Sequence, residues 1–338
     1  MSAAGQGVYQ RRATLVMLLA VLTLASAIWS LGVGAVKVPV DVIINTLFNL
    51  DGDQQRYIIL KSRLPRVVLA LLAGGALALS GAIIQAVIRN PLASPGIIGI
   101  NSGAALFAVL VVSLLPDLPP AWMPVAACLG GLSAAGVVML VAHFRTLSPA
   151  HLALIGVAVG LVFEAGVDYL LVTSSDAERS APLIWLTGSL WGRSWDHVSI
   201  SLAPLLMFAA LAMALTYRLD LLSLGDASAT GLGIRVPLLR LALLAVATVL
   251  ASVSVAVVGV MGFIGLMAPH IARRLVGGSH RWLLPASALT GMLLVSLADG
   301  LGRALAPPIE ISAGILAALL GAPFFVYIML TTASEQDG

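Results

Sequence analysis

The sequence predicts an all-α integral membrane protein, a single domain of ten transmembrane helices over residues 1–338. Three observations predict it. Apolar runs of about 20 residues, each enough to cross a hydrocarbon core about 30 Å thick, recur from one end of the chain to the other. Only 10% of the 338 residues are charged and 60% are hydrophobic, where a soluble domain carries about 25% charged residues. Between the runs lie short breaks, and no stretch is polar enough to build a separate soluble domain. The mean hydropathy of +1.05 agrees. A net charge of +3 is too small to imply a nucleic-acid partner. The one cysteine, Cys128, lies inside an apolar run; it cannot pair within the chain, and a metal needs more ligands.

The first span is 14–34. Arg11 and Arg12 precede it like a twin-arginine signal, and Ala25-Ser26-Ala27 could pass for a signal-peptidase site. The apolar run continues past Ala27, so a retained first helix is expected, with the arginines holding its start in the cytoplasm. The second span, 66–88, follows Leu64-Pro65 and ends at the break Arg89-Asn-Pro-Leu-Ala-Ser-Pro-Gly-Ile-Ile-Gly99. Its two prolines interrupt helix. Lipid does not tolerate open backbone, so this break must lie at a membrane surface or inside protein, where transporters build gates and partner contacts. Spans 97–115, 121–142 and 150–172 come next. A loop carrying Trp185, Trp191 and Trp195, read as an interfacial aromatic belt, leads to 199–217. The connection 218–238 precedes 239–259, and a short eighth span, 262–275, follows Gly259-Val-Met-Gly262. The last two spans are 283–303 and 311–331. A break after a Gly-rich helix in each half hints at a duplicated unit.

Ten spans place both termini on one side. The N-terminal side carries Arg11, Arg12, Arg89, Arg145, Arg218, Arg235, Arg240, Arg273, Arg274 and Arg281. The other carries Lys37, Arg56, Lys61, Arg63, Arg66, Arg179, Arg193 and Arg303. This excess makes the N-terminal side cytoplasmic. The acids Asp41, Asp51, Asp53, Asp117, Asp176, Glu178, Asp196 and Glu310 fall outside. The outer arginines Arg63, Arg66 and Arg303 fit either interfacial snorkelling or a basic rim that receives an acidic protein or an anionic ligand.

Nothing in the chain is built for covalent chemistry. There is no G-x-x-x-x-G-K-[ST], no H-E-x-x-H and no G-x-S-x-G, and the five histidines are dispersed. Any ATPase must be another polypeptide, and no metal site is expected. In the fifth span, Gly156, Gly160, Glu164 and Asp168 recur every four residues along one stripe. The glycines permit close helix approach, and carboxylates at membrane depth face protein or a watery path. The stripe reads as the lining of a central pathway or a subunit interface. The alternatives are local hydrogen bonding near the outer surface, or proton or sodium binding in a secondary transporter. Within 218–238, Asp226 can cap a short helix that ends at Gly231 or Gly233. Leu224 and the small residues give that helix an apolar tip, suited to a groove in a soluble partner or to the membrane surface.

Five ordered runs then resemble one family: Arg63-Leu-Pro-Arg66; Arg89-Asn-Pro-Leu-Ala-Ser-Pro95 with Gly99; Gly225-Asp226 with Ala229 and Leu232-Gly233; Phe263-Ile-Gly-Leu266 with Pro269-His270 and Arg273; and Gly321-Ala-Pro323. The chain resembles the permease subunits of bacterial ABC importers for iron–siderophore complexes, haem and cobalamin. The resemblance implies the type II ABC importer permease fold and a pair of permease subunits, alike or different, with helix five of each lining the shared pathway. It implies two ATPase subunits that bind ATP and Mg, a periplasmic substrate-binding protein, and no cofactor in this chain. Arg63, Arg66 and Arg303 match arginines that receive glutamates of the binding protein. Leu224, Gly225, Asp226, Ala229, Leu232 and Gly233 match the coupling helix seated on the ATPase. Asn90 and Leu92, with Ser148-Pro149, match loops that close the path on the cytoplasmic side. The family commonly reads Glu-Leu-Pro-x-Gly before the last helix; here Glu310-Ile-Ser-Ala-Gly314 lacks the proline, which should loosen that entry.

The run Trp185-Leu-Thr-Gly-Ser-Leu-Trp-Gly-Arg-Ser-Trp195, with Leu219-Asp-Leu-Leu-Ser-Leu-Gly225, looks most like the ferric citrate type. The resemblance thus implies a bacterial inner-membrane permease, embedded in lipid with both termini cytoplasmic. It would import a ferric siderophore such as ferric citrate, with cobalamin or haem as the alternative cargo. Transport would be by alternating access, with weak substrate binding along the path. The competing reading is an ion-coupled transporter using Glu164 and Asp168.

Overall fold

A computed structural model describes residues 3–48, 55–115, 117–118, 122–144, 148–174 and 182–334. Asp51, Asp53, Arg145, Asp176, Glu178 and Arg179, used in the side assignment, lie outside the described residues. The helices are α1 (Ala3–Gly32), α2 (Val40–Leu47), α3 (Leu64–Ile88), α4 (Ile100–Leu114), α5 (Trp122–Phe144), α6 (Pro149–Thr173), α7 (Trp195–Ala214), α8 (Thr216–Ser223), α9 (Asp226–Gly231), α10 (Val236–Val258), α11 (Ile264–Val276), α12 (His280–Ala304) and α13 (Ala313–Ser334). A π-helical turn, Ile58–Arg63, runs into α3, and a 3-10 turn, Pro95–Ile98, precedes α4. Every expected span is met by a helix. Among the described residues seven helices are long and apolar enough to cross a membrane: α1, α3 with its π turn, α5, α6, α7, α10 and α12. The apolar parts of α4 and α13 are shorter, and α11 has 13 residues, about 20 Å at 1.5 Å per residue.

Helix α3 is the axle. It is buried along most of its length and packs against α7, α10, α11 and α12. Apolar side chains gain little from leaving lipid for a lipid-like interior, so close backbone approach and internal hydrogen bonds must hold such helices together. Glycine supplies the approach. A Cβ on Gly74 would lie 2.4 Å from the Gly291 carbonyl oxygen of α12, and one on Gly81 would lie 1.8 Å from that of Gly265 in α11. Hydrogen bonds add direction: Ser80 Oγ donates to the Ala247 carbonyl of α10 at 2.7 Å, and Gln85 Nε2 to the Leu266 carbonyl at 3.3 Å.

The two breaks are re-entrant rather than superficial. Arg89 ends α3 in the left-handed region, with φ 55°. The chain then turns back into the bundle, and the Ile97 carbonyl lies against Gly156 and Gly99 against Gly160, both in α6. α4 therefore starts inside the protein, where backbone without helix partners is tolerated. In the second half α10 ends at Gly259 (φ 79°), and Phe263 (φ 64°) starts α11 beside Gly81 of α3. The breaks touch, since a Cβ on Gly265 would meet Pro95 Cδ at 2.7 Å. α4 and α11 are thus half-helices, the architecture by which broken-helix transporters place irregular backbone at depth.

Three local expectations are corrected. Trp185 is core, only 5% exposed, with its carbonyl against the Gly259 turn; Trp191 and Trp195 are exposed as the belt requires, and Trp195 Nε1 donates to the Leu60 carbonyl at 2.8 Å. Asp226 is not the N-cap of α9, because Gly225 holds that position and the Asp226 carboxylate turns to arginines. The entry to α13 is not loose: Thr187 Oγ1 donates to Ser312 Oγ at 2.7 Å and the Gly314 N–H to the Gly188 carbonyl at 2.9 Å, fastening the turn that proline would have stiffened.

Gly81→Ala should overpack the α3–α11 contact and cost about 2 kcal/mol. Gly136→Ala, on α5 with nothing within 4 Å of the added methyl, should cost nothing. Thermal unfolding in detergent checks the pair; equal midpoints would contradict the close-approach account.

Candidate functional site

Three regions gather the residues singled out in the sequence. The first is α6. Gly156 and Gly160 are buried under the re-entrant turn and α4, so their role is packing. Glu164 and Asp168 continue the stripe but stand exposed. With Asn101, Ser102, Val167 and Val260 they line a cavity of about 190 Å³, and Ser102 Oγ donates to Glu164 Oε1 at 3.0 Å. The stripe is thus divided between a backbone contact and an open acidic face.

The second region is the Arg66 end of α3. Here the structure departs from a free basic rim. Arg63, Arg66 and Arg303 are only 7%, 9% and 4% exposed. Arg63 donates to the Leu31 carbonyl at 2.7 Å and to the Val36 carbonyl. Arg303 donates to the carbonyls of Val33 and Ser30, each at 2.7 Å, and to Ser30 Oγ. Arg66 Nε donates to Asp299 Oδ1 at 2.8 Å, and its Nη1 to Glu310 Oε2 at 2.7 Å. Asp299 Oδ2 also lies 3.2 Å from Arg303 Nη2. A buried charge without partners is prohibitively costly, so the arginines turn inward to carbonyls and acids. The result ties α1 and its following turn, α3, α12 and the entry to α13 at one point.

The third region is the Arg89 end. Asn90 Oδ1 accepts the Leu92 N–H at 2.9 Å, closing an Asx turn over the Pro91 break. Ser148 caps α6, accepting the His151 N–H, and Pro149 takes the first helical position. The re-entrant segment meets α6 further on, at Gly156. Beside this lies the α8–α9 elbow. Gly225 joins the two helices at φ +103°, a conformation open to glycine at little cost. Leu224 and Leu232 are each 61% exposed, whereas Ala229 is fully buried. Gly231 and Gly233 have open space around them. Apolar side chains are thus presented outward on either side of a short, firmly seated helix.

What seats it was missed in the sequence. Asp220 Oδ1 accepts the His280 N–H at 2.8 Å and contacts His280 Nδ1 at 2.7 Å, fixing α8 to the start of α12. Asp226 pairs with Arg89 and with Arg240 Nη2 at 3.1 Å, fixing α9 to the end of α3 and the start of α10. Asp299 was missed too, although its i,i+4 spacing to Arg303 on α12 was a usable signal. Among the described residues there is no group of three or more His, Cys, Asp or Glu placed to hold a metal.

Residues 18–331 match the FecCD transport family. The chain is 45% identical over 321 residues to the Fe(3+)-citrate import system permease protein YfmE of Bacillus subtilis, covering 95% of this chain and 96% of that one. It is 42% identical over 316 residues to the Fe(3+) dicitrate transport system permease protein FecD of Escherichia coli, covering 94% and 98%. A solved metal-chelate type ABC transporter in an inward-facing conformation superposes with a TM-score of 0.83 at 32% identity, over 94% of this chain and 99% of that one.

Asp299→Ala should remove the buried carboxylate shared by Arg66 and Arg303 and destabilise the protein by about 3 kcal/mol. Glu310→Gln, at a carboxylate one-third exposed, should cost under about 1 kcal/mol. Equal losses of thermal stability in detergent would contradict the buried-knot description.

Proposed function

The chain belongs to the FecCD transport family and is a multi-pass membrane permease subunit of an ABC importer, not itself an enzyme, and we propose that it carries a ferric hydroxycarboxylate chelate, ferric citrate foremost. It works with partner permease and ATPase subunits. The observation that carries this reading is the α8–α9 elbow. Two exposed leucines, Leu224 and Leu232, just past the ends of two short helices fixed by the Asp226 ion pairs and the Asp220–His280 hydrogen bonds, suit a groove in a soluble subunit. The cargo assignment is supported by the two ferric citrate permeases among the relatives.

The Arg89 end faces the cytoplasm in this reading, with both termini, and the membrane is the bacterial inner membrane; the distribution of arginines supports that orientation. The ATPase subunits bind ATP and Mg, and this chain holds no cofactor. A loaded periplasmic binding protein docks at the Arg66 end. The buried arginines there order the α1–α2 turn and the α12–α13 link on which it rests, instead of offering free charge. ATP-driven movement of α8–α9 then opens the path alternately past Asn90, Leu92, Ser148 and Pro149, and the chelate crosses between the α6 faces of two permease subunits. The acidic face at Glu164 and Asp168 disfavours retention of an anion, which suits a path that must release what it admits.

In proteoliposomes holding the complex purified from its host, uptake of radiolabelled ferric citrate, presented with the host's binding protein, should require ATP. It should survive proton and sodium ionophores. Uptake abolished by ionophores and indifferent to ATP would make Glu164 and Asp168 ion-coupling sites instead. Stronger competition by haem or cobalamin than by unlabelled ferric citrate would overturn the cargo.

A further inference from the structure

The joint between α8 and α9 is spanned by one side chain from outside it. Arg89 Nη2 donates to the Leu222 carbonyl at 3.2 Å, near the end of α8, and also to the Asp226 carboxylate, the first residue of α9. Between those two contacts the only special backbone is Gly225. Any rotation of α9 about that glycine must break one of the contacts or move Arg89. Arg89 is itself the residue that caps α3 before Asn90 and the re-entrant turn, and it holds φ 55°, a conformation that costs a side-chain-bearing residue about 1 kcal/mol.

The surroundings give the clamp a direction. Arg240 is largely buried at the base of α10 and holds the other side of Asp226. Asp220 fastens α8 to α12 through His280 independently. α8 therefore has an anchor that does not depend on α9. The Asp226 carboxylate is 46% exposed, so its pair with the half-buried Arg89 is partly solvated, while its pair with Arg240 is backed by protein. α3, by contrast, is locked along its length by backbone-close glycines and at its far end by Asp299 and Glu310. The compliant element next to Arg89 is the Asn90–Ser94 turn, held by the Asx contact and by the Ala93 N–H to the Asn90 carbonyl.

We propose that Arg89 is the positioning residue that transmits movement of the α8–α9 elbow to the re-entrant turn, by gripping Leu222 and Asp226 across the Gly225 joint. This rests on the importer reading above. Arg89 touches neither cargo nor nucleotide in that reading; it sets how much transport each hydrolysis yields.

The test is the ratio of uptake to hydrolysis. In proteoliposomes of the complete complex with its binding protein, radiolabelled ferric citrate uptake and phosphate release are measured together for wild type, Arg89→Gln and Arg89→Gly. Glycine fits φ 55° without strain, so Arg89→Gly keeps the backbone and removes only the grip. Both variants should still hydrolyse ATP while uptake per ATP falls about fivefold or more. Arg89→Lys, which retains the charge but not the fork, should fall between them and wild type. An unchanged ratio in Arg89→Gly, or parallel loss of uptake and hydrolysis in both variants, would overturn the proposal. Wild type that hydrolyses ATP without moving ferric citrate would instead refute the cargo reading, and wild type without ATP-dependent uptake of ferric citrate, haem or cobalamin would refute the importer reading and the proposal with it.

Discussion

Helix α3 is gripped at both ends by arginine, and the rest of the molecule depends on that arrangement. In a bilayer no water stands ready to satisfy a polar group, so every charge must find its partner inside the chain or at the surface. At one end Arg66 binds Asp299 and Glu310 while Arg63 and Arg303 take carbonyls of α1 and its following turn. At the other end Arg89 binds α8 and α9. Between them the helix carries almost no polar atoms, and it meets its neighbours through Gly74, Gly75 and Gly81. The axle is stiff, and its two ends are where the chain converts ionic contacts into position.

That stiffness explains where compliance is placed. The half-helices α4 and α11 begin inside the bundle, each after a short irregular segment resting on glycine: Gly156 under the first break and Gly81 beside the second. Moving such a segment exchanges a few hydrogen bonds and van der Waals contacts. Moving α3 would require separating backbones packed at glycine contacts. A transporter built this way changes access by shifting turns and half-helices around a fixed centre. The acidic face of α6, open beside the first half-helix, lies where such shifts would be felt.

Much of this was legible in the sequence, for identifiable reasons. Apolar runs and helix breakers are local signals, so the spans, the Arg89–Gly99 break and the short eighth helix were readable. The elbow at Gly225 was readable because glycine beside Asp226 marks a helix start, although the carboxylate serves arginines rather than capping. Depth was not readable: proline and glycine announce a break but not that it turns inward. Pairings across long separations were not readable either. Arg66 with Asp299, Arg89 with Asp226 and His280 with Asp220 are joined by the fold alone. The same limit made Arg63, Arg66 and Arg303 look like a free rim, because sequence gives a charge and not its partner.

The central claim is that the α8–α9 elbow is the surface through which an ATPase drives this permease. The most direct measurement is a structure of the chain purified with everything it retains from its native membrane. The account predicts a nucleotide-binding subunit covering Leu224 and Leu232, with Asp226 seated between Arg89 and Arg240 beneath it. A complex in which those leucines face open solvent or lipid, with the ATPase bound elsewhere or absent, would contradict it.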